Sequence, residues 1–349
     1  MMMIELSIQL LLYVIVVLLL FCCVVIIYLI FQEKRNSRMK RKMEDYSLNT
    51  KIIWRAYILE DAPFEKKLIP KDKIEILEVE NILLSYLKNI SNEVLHLKIY
   101  SFAQMYLKDH YKEELTSRKW SRRMNAVYRI ADFQIKELVD TCEVSMKQKG
   151  TLEAFQLLKL YSILEKEKFT QALLASDFSF SESEYKKLFS YLEVEMLEQL
   201  LEKMEDIQEV ARFALIDTIA VKGSTAVVEN LEKILSNDND EIRIRALKGL
   251  ERVGVIKHIE TYTPFVNSPI WEERLMVAKL FKHAPLTFTC RYLEILLQDS
   301  NWWVRSQAAS TMIEDPKGRQ KLIEFIETTT DQYAIDMANE VLEKRVHIR

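Results

Sequence analysis

The chain has 349 residues, of which 29% are charged and 49% are apolar, and its formal net charge is −3. It contains only 5 Gly and 6 Pro, a composition typical of helical proteins that argues against phosphate-cradling glycine loops and frequent tight hairpins. Its 4 cysteines are too few for a disulfide framework, which is consistent with a reducing compartment.

The first predicted element is an apolar run over residues 8–31 that carries no charged side chain. As a helix rising ~1.5 Å per residue, this run would be about 36 Å long, enough to cross a ~30 Å hydrocarbon core. A cleaved signal peptide is the competing interpretation, but it requires a positive start and small residues at its end. The start carries Glu5 and no Lys or Arg, so we predict a transmembrane helix over 8–31.

Six basic residues follow the run directly: Lys34, Arg35, Arg38, Lys40, Arg41 and Lys42. Cytoplasmic flanks carry an excess of Lys and Arg, so we predict a single-pass protein whose N-terminus is outside and whose remaining chain is cytoplasmic. The cluster either sets this topology alone or also contacts anionic lipid headgroups. The single anchor and the Ile-, Lys- and Glu-rich composition favour a bacterial plasma membrane.

The rest of the chain is acidic. Six of the 49 basic residues and two of the 52 acidic residues precede Glu44, which leaves 43 basic and 50 acidic residues and a net charge of about −7. Nucleic-acid affinity depends on neutralising phosphates, so we expect no nucleic-acid partner unless a continuous basic groove forms. Residues 32–80 are predicted to form a basic juxtamembrane segment and connector, and residues 81–196 to form degenerate helical repeats.

A pattern with a period of 31 residues runs through 206–316. The repeated arginines are Arg212, Arg243, Arg274 and Arg305. A short polar residue precedes each arginine by six positions: Asp206, Asn237, Ser268 and Asp299. Each unit closes on a helix breaker: Gly223, Gly254, Pro285 and Pro316. Because short polar residues are preferred N-caps and Gly or Pro ends helices, each unit is predicted to hold a second helix between these positions.

Two apolar ladders, four residues apart, precede the polar residue in each unit. They are Leu200, Leu231, Tyr262 and Leu293, and Met204, Leu235, Val266 and Leu297. A spacing of four places both ladders on one face of a first helix. Each unit is therefore predicted to be a pair of short antiparallel helices that buries its apolar face only when units stack.

This pattern resembles the HEAT-repeat family, in the short form also seen in the lyase-like repeats of bilin-attachment proteins. The resemblance is carried by Leu231-x-x-x-Leu235-x-Asn237, followed by Ile242-Arg243-x-x-Ala246-Leu247, and by the equivalent stretch from Leu293 to Ala309. Residues 321–344 resemble a fifth unit displaced by one residue. The resemblance covers residues 197–345 and implies an all-α fold, a right-handed α-solenoid preceded by the transmembrane helix. In this family the repeated arginine pairs with the capping Asp or Asn of its own or the next unit.

No catalytic motif accompanies the repeats. None of the five histidines pairs with another at metal-ligand spacing, and none is followed by Glu, so the His-Glu pairs of di-iron HEAT hydroxylases are absent. We therefore expect no metal, no cofactor and no enzymatic activity. The alternative is a lyase-like repeat enzyme that acts on a chromophore or a modified side chain, with Cys142 or Cys290 as nucleophile. Cys290 shares a ladder position with Val228 and Ile259, so we expect it in the core.

Three tryptophans are the candidate partner-binding residues. Trp271 and Trp302 occupy equivalent positions 31 residues apart, three residues after their polar residues, and Trp303 adjoins the second. Tryptophan is enriched at binding hot spots, so one interpretation is an exposed anchor for a partner. The other is that these rings fill the seam between units. The predicted function is a membrane-anchored scaffold or adaptor that binds a partner protein, itself membrane-associated, through the repeat surface.

Overall fold

The computed structural model describes residues 8–146, 150–175, 179–222 and 227–344, with side chains from residue 12 onward. Within these ranges the regular elements are helices and no β-strand occurs, so the predicted all-α class is confirmed. The chain divides into two compact units, Met1–Ser145 and Met146–Arg349.

The first unit is built on one long helix, α1 (Ile8–Leu59), of 52 residues. No Gly or Pro occurs before Pro63, so nothing in the sequence ends the helix where the apolar run stops. The basic segment after the run is therefore a continuation of the same helix. The side chains of residues 12–31 are exposed around the whole circumference. By length and composition α1 is able to cross a membrane, although a signal sequence near an N-terminus meets the same criteria.

The last third of α1 packs into the core of the first unit. Trp54 is fully buried, and its ring contacts that of Phe102 edge to face with centroids 4.9 Å apart. The Tyr46 hydroxyl donates a hydrogen bond to the carbonyl of Leu68 at 2.7 Å. The other helices of this unit are α2 (Lys73–Asn89), α3 (Glu93–Tyr106), α4 (Lys108–Leu115), α5 (Trp120–Asp132) and α6 (Val139–Ser145).

The second unit is a stack of helical hairpins. Its helices are α7 (Thr151–Leu164), α8 (Lys166–Leu174), α9 (Glu182–Phe189), α10 (Val194–Glu202), α11 (Glu209–Lys222), α12 (Val227–Ile234), α13 (Asp240–Val253), α14 (Trp271–Leu280), α15 (Leu286–Leu297), α16 (Trp302–Glu314), α17 (Gly318–Thr328) and α18 (Gln332–Lys344). Helices α9, α11, α13, α14, α16 and α18 pack side by side in that order, while α10, α12, α15 and α17 pair with them as first helices. This is the predicted HEAT-like arrangement.

The apolar ladders form the core of this stack. Every residue of the two first-helix ladders is buried: Leu200, Leu231, Tyr262, Leu293, Met204, Leu235, Val266 and Leu297. The residues three positions after the arginines are fully buried as well: Leu215, Ala246, Val277 and Ala308. Spacing that matches the helical period thus predicted burial, because side chains four residues apart share one helix face.

The repeat unit that contains Arg274 departs from the predicted pair of α-helices. Its first helix is replaced by two 3-10 turns, Ile259–Thr261 and Thr263–Asn267. Pro264 lacks the N–H that an α-helix interior needs, which accounts for the change. The predicted breaker Gly254 does end α13, with a left-handed φ of 72°, whereas Gly223 lies outside the described residues.

Candidate functional site: an aromatic surface on the repeats

The repeated polar residues lie in the loop before each second helix. The side-chain oxygens of Asn237, Ser268 and Asp299 accept hydrogen bonds from the backbone N–H two residues later, at 2.9, 3.1 and 2.7 Å. The N-caps of α13 and α16 are instead Asn239 and Asn301. The predicted capping role therefore moves by two positions, because a side-chain-stabilised turn precedes the cap.

The repeated arginines close this loop from the helix side. Nη1 of Arg243 donates to the carbonyl of Asn237 at 2.8 Å, and Nη1 of Arg305 donates to that of Asp299 at 2.7 Å. Arg274 makes the same bond, at 2.7 Å, to the polar residue six positions before it. Because these bonds satisfy loop carbonyls that would otherwise be unpaired, the arginine has a structural role in every unit where they form.

The first copy of the pattern differs in detail. Asp206 ends a 3-10 turn, Met204–Asp206, immediately before the loop. Arg212 donates to the carbonyls of Glu205 and Ile207, at 2.8 and 3.0 Å, rather than to that of Asp206. The arginine still closes the loop, so its role survives a shift in the carbonyls that it contacts.

The predicted tryptophans lie at the starts of neighbouring second helices. Trp271 is the first residue of α14 and is half-buried, whereas Trp302 and Trp303 begin α16 and are 46% and 61% exposed. The rings of Trp302 and Trp303 meet edge to face, with centroids 4.8 Å apart. The side chain of Asn301 accepts the Trp303 N–H at 2.9 Å and fixes this helix start. Two large aromatic rings are therefore held in water by an ordered backbone.

A third exposed ring, which the sequence did not predict, lies at the start of the next second helix, α18. Tyr333 is the second residue of α18, as Trp303 is of α16, and it is 72% exposed. The guanidinium of Arg305 lies 5.5 Å from the centroid of the Tyr333 ring. The one-residue displacement of the fifth unit was the signal that aligns Tyr333 with Trp303. We call Trp302, Trp303, Arg305 and Tyr333 the aromatic surface.

The basic cluster lies on α1 beyond the apolar run. The side chains of Lys34, Arg35, Arg38, Lys40 and Arg41 are exposed. Lys42 is different, because its Nζ donates to the carboxylate of Asp72, the N-cap of α2. This hydrogen bond is the main cause of the raised pKa of Lys42. Lys42 therefore joins α1 to the start of α2.

The first unit also contains a cavity that the sequence did not predict. Its volume is about 360 Å³, and it is lined by Lys73, Leu77, Glu80, His110, Tyr111, Glu114, Arg122, Asn125, Ala126, Tyr128 and Arg129. The buried Glu80 carboxylate accepts the Tyr111 hydroxyl at 2.8 Å and Nε of Arg129 at 3.0 Å. Burial is the main cause of the lowered pKa of His110 and favours its neutral imidazole. The charged lining pairs internally and stabilises the packing of α2, α4 and α5.

Neither of the two cysteines proposed as nucleophiles for a lyase-like enzyme is activated. Cys142 is buried, and burial raises the pKa of its thiol to about 12. Burial, followed by a hydrogen bond to Glu294, raises the pKa of Cys290 to about 12 as well. Thiols with such pKa values carry almost no thiolate at neutral pH, and the thiolate is the nucleophile. Cys290 is half-buried rather than in the core, and its thiol donates to the carboxylate of Glu294 at 3.3 Å.

No protein-family model matches the chain, and neither does any curated protein. Among solved structures, human deoxyhypusine hydroxylase in complex with glycerol matches with a TM-score of 0.28 and 12% identity, covering 72% of this chain and 99% of that chain. An engineered protein matches with a TM-score of 0.32 and 18% identity, covering 79% of this chain and 82% of that one. The stacked hairpins of the second unit by themselves define a HEAT-like helical-repeat fold.

The prediction that the chain is not an enzyme is corrected by this comparison. One of the matched structures is an enzyme, so a HEAT-like architecture does not argue against catalysis. The likeness concerns the fold alone and transfers no activity to this chain. Within the described ranges, no group of three or more His, Cys, Asp and Glu side chains is arranged to hold a metal ion.

Proposed function

We propose that this protein is a membrane-anchored HEAT-like repeat protein that binds a partner protein through the aromatic surface. The observation that carries the proposal is the exposure of Trp302 and Trp303, side by side, at 46% and 61%. Burying apolar surface stabilises an interface by about 25 cal/mol per Å², and tryptophan is among the residues most enriched at hot spots. A partner that covers both rings gains this free energy without first ordering the helix.

The three tryptophans differ in burial, and this difference supports a structural role for Trp271 and a binding role for Trp302 and Trp303. Trp271 is half-buried at the start of α14 and suits the seam between units. Trp302 and Trp303 stand further out of the surface, and Tyr333 extends the aromatic surface onto α18. Neighbouring second helices thus offer rings to one partner at the same time, which is the way helical repeats build extended binding surfaces.

We also propose that α1 holds the protein in a membrane, with its N-terminus outside and the chain that follows the basic residues in the cytoplasm. The exposed apolar circumference of residues 12–31 and the basic residues directly after it support this orientation. We propose in addition that Lys34, Arg35 and Arg38 contact anionic headgroups, at about 1 kcal/mol for each residue near the surface. A bacterial plasma membrane suits the sequence.

The continuity of α1 gives the anchor a mechanical consequence. About 15 residues separate Phe31 from Tyr46, the first side chain of α1 that is buried in the first unit, and they span about 22 Å of helix. The packed part of the first unit, from Tyr46 onward, is therefore joined to the apolar segment by a continuous helix and not by a flexible linker. Confinement to the membrane raises the effective concentration of a partner in the same membrane, so a modest contact suffices.

A photo-crosslinking experiment tests the binding role. The full-length protein, expressed in its membrane, carries benzoyl-phenylalanine at Trp303 or, as a matched control, at Trp120. Trp120 is also 46% exposed but lies in the first unit. We expect one discrete crosslinked protein from position 303 that position 120 does not give, and we expect Trp302→Ala to reduce its yield several-fold.

The double variant Trp302→Ala/Trp303→Ala, compared with Trp120→Ala, supplies the second readout. We expect it to lose the crosslinked protein from co-purification in detergent while keeping the same helical circular dichroism. Retention of that protein by the double variant, or the same crosslink from both positions, would show that the aromatic surface is not the binding site.

A further inference from the structure

Among the described residues, the last of the four repeated arginines, Arg305, lacks the carboxylate partner that the other three have. Arg212 pairs with Glu205 at 2.6 Å, and Arg243 pairs with Glu273 of the following unit at 2.7 Å. Arg274 pairs with a carboxylate of the following unit as well. Arg305 makes no ion pair with any residue in the ranges that the structure describes. Three consecutive guanidinium groups are thus neutralised, and the fourth is not.

The hydrogen bonds of Arg305 are correspondingly incomplete. Its Nη1 donates to the carbonyls of Asp299 and Ser300, at 2.7 and 3.2 Å, which closes the loop. Its Nε is buried and has no hydrogen-bond partner in the described part of the chain. In Arg274 the equivalent Nε donates to the Asp299 carboxylate. A buried donor without an acceptor is unfavourable, so an incoming acceptor would stabilise this position.

The reason lies in one residue of the fifth unit. Thr329 occupies the place that Asp299 holds in the fourth unit, because its Oγ1 accepts the N–H of Asp331 at 3.2 Å, as Asp299 accepts that of Asn301. A threonine closes the loop turn but supplies no carboxylate to the arginine of the preceding unit. The loop beside Arg305 therefore has the same turn as the loop beside Arg274, but within the described ranges it has no carboxylate that could pair with the arginine.

We propose that the partner protein supplies the missing carboxylate, from an Asp or Glu side chain that follows or precedes an apolar residue. The carboxylate would approach the guanidinium of Arg305, and the apolar residue would pack on Trp302, which lies three positions earlier on the same helix face. The Tyr333 ring, which is 72% exposed, lies over the guanidinium and would turn aside as the carboxylate binds. This inference rests on the proposed function and names the chemistry of its partner: an acidic segment with an apolar neighbour.

The informative substitution is Thr329→Asp. Arg305→Gln also removes the bonds to the loop carbonyls, so its effect on binding would be mixed with an effect on folding. Thr329→Asp keeps the turn acceptor, as Asp299 shows, and places a carboxylate where Asp299 stands relative to Arg274. Thr330→Asp adds the same charge one residue later and is the matched control. We expect Thr329→Asp alone to raise the thermal unfolding midpoint of the full-length protein in detergent.

The binding test uses a displayed library of random 12-residue peptides, selected on the full-length protein in nanodiscs. We expect the wild type and Thr330→Asp to enrich peptides with Asp or Glu beside an apolar residue. Thr329→Asp should weaken the binding of these peptides about tenfold, since the internal carboxylate occupies Arg305. Replacing the acidic residue of a selected peptide by its amide should weaken binding to the wild type by a similar factor and leave Thr329→Asp unaffected.

The outcomes separate this inference from the proposed function. Peptides that depend on Trp302 and Trp303 but show no acidic preference, or that bind Thr329→Asp as well as wild type, overturn the inference and leave the aromatic surface as a binding site. A Thr329→Asp variant without increased thermal stability also overturns it, because the carboxylate would then not reach Arg305. Failure to enrich any peptide that depends on the two tryptophans counts against both.

Discussion

Arg274 and Asp299 form a bidentate ion pair between consecutive units of the repeat. Nε and Nη2 of Arg274 donate to the two carboxylate oxygens of Asp299, at 2.5 and 2.9 Å. The same carboxylate accepts the N–H of Asn301 at 2.7 Å, which shapes the loop before α16. Asp299 therefore closes its own loop and holds the preceding unit. Both side chains are largely buried, so water cannot readily take the place of one partner when the other is removed.

Substitution of Asp299 should strongly lower the unfolding free energy of the compact unit Met146–Arg349. Asp299→Ala leaves the Arg274 guanidinium without its anion and the Asn301 N–H without its acceptor, and we expect a loss of about 3 kcal/mol in unfolding free energy. Urea unfolding of the full-length protein in detergent, followed by circular dichroism, measures it. Glu340→Gln removes an exposed ion pair with Lys344 and serves as control, with an expected change under about 0.5 kcal/mol. Equal effects of the two substitutions would contradict the structural role of Asp299.

Gly254 should tolerate side chains poorly. Its φ of 72° is left-handed, and an added Cβ would lie 3.0 Å from Cε1 of His283. We expect Gly254→Ala to lower the unfolding free energy by about 1–2 kcal/mol, because the backbone strain adds to the contact. Gly254→Asn should cost less, since Asn adopts this conformation more readily. The thermal midpoints of the two variants rank them, and the reverse order would show that the contact with His283 outweighs the strain.

The network around Arg245 predicts an acid-dependent contribution to stability. Nη1 of Arg245 donates to Glu182 at 2.9 Å and to Asp217 at 2.7 Å. The hydrogen bond from Arg245, followed by that from Lys186, lowers the pKa of Glu182 below its ordinary value of 4.5. A carboxylate whose pKa is lowered by folding stabilises the fold above that ordinary value, and this stabilisation disappears as the pH falls through the lowered pKa.

The matching experiment compares wild type with Arg245→Gln across pH. We expect a difference in unfolding free energy of about 1–2 kcal/mol at pH 7, limited by the partial solvent exposure of Glu182. This difference should remain constant down to about pH 5 and shrink below it as the carboxylate becomes protonated in both variants. Lys344→Gln provides the control for the loss of one positive charge. A difference that stays unchanged on acidification would mean that Arg245 acts through packing, for example over the ring of Phe213.

The apolar part of α1 should decide membrane attachment. A charged residue in the middle of a transmembrane helix costs about 2.5–3.5 kcal/mol, so Leu19→Arg/Leu20→Arg should release the protein from carbonate-washed membranes. Ile52→Arg, which changes an exposed residue of α1 beyond the basic cluster, is the control and should leave attachment intact. Mass spectrometry of the mature N-terminus separates an anchor from a cleaved signal sequence, since only the anchor retains residues 8–31.

The orientation prediction has its own measurement. A reporter enzyme that is active only in the cytoplasm, fused after Arg349, should be active in whole cells. Substituting the exposed basic residues Lys34, Arg35 and Arg38 by Gln should lower that activity, because the excess of positive charge fixes the cytoplasmic side. Activity of a periplasmic reporter at the same position would reverse the proposed topology.

The sequence by itself determined the helical class, the repeat and its core. A period of 31 residues, apolar ladders four residues apart and few helix breakers sufficed, because helix formation and facial burial depend on local spacing. Leu231, Leu293 and Ala308 are buried as that spacing predicts. The apolar run was equally legible, since its length and lack of charge are local properties.

Tertiary structure alone decided which side chains meet across units. The contact of Tyr333 with Arg305 joins residues 28 positions apart, and the Nε of Arg305 is left without an acceptor in the described chain. The hydrogen bonds of Glu80 with Tyr111 and Arg129 span 31 and 49 positions. Such contacts depend on how one hairpin stacks on the next, and a shift of one residue in the fifth unit changes which ring reaches the arginine. Local spacing holds no record of that stacking, so the addition of Tyr333 to the predicted tryptophans emerged only from the packed helices.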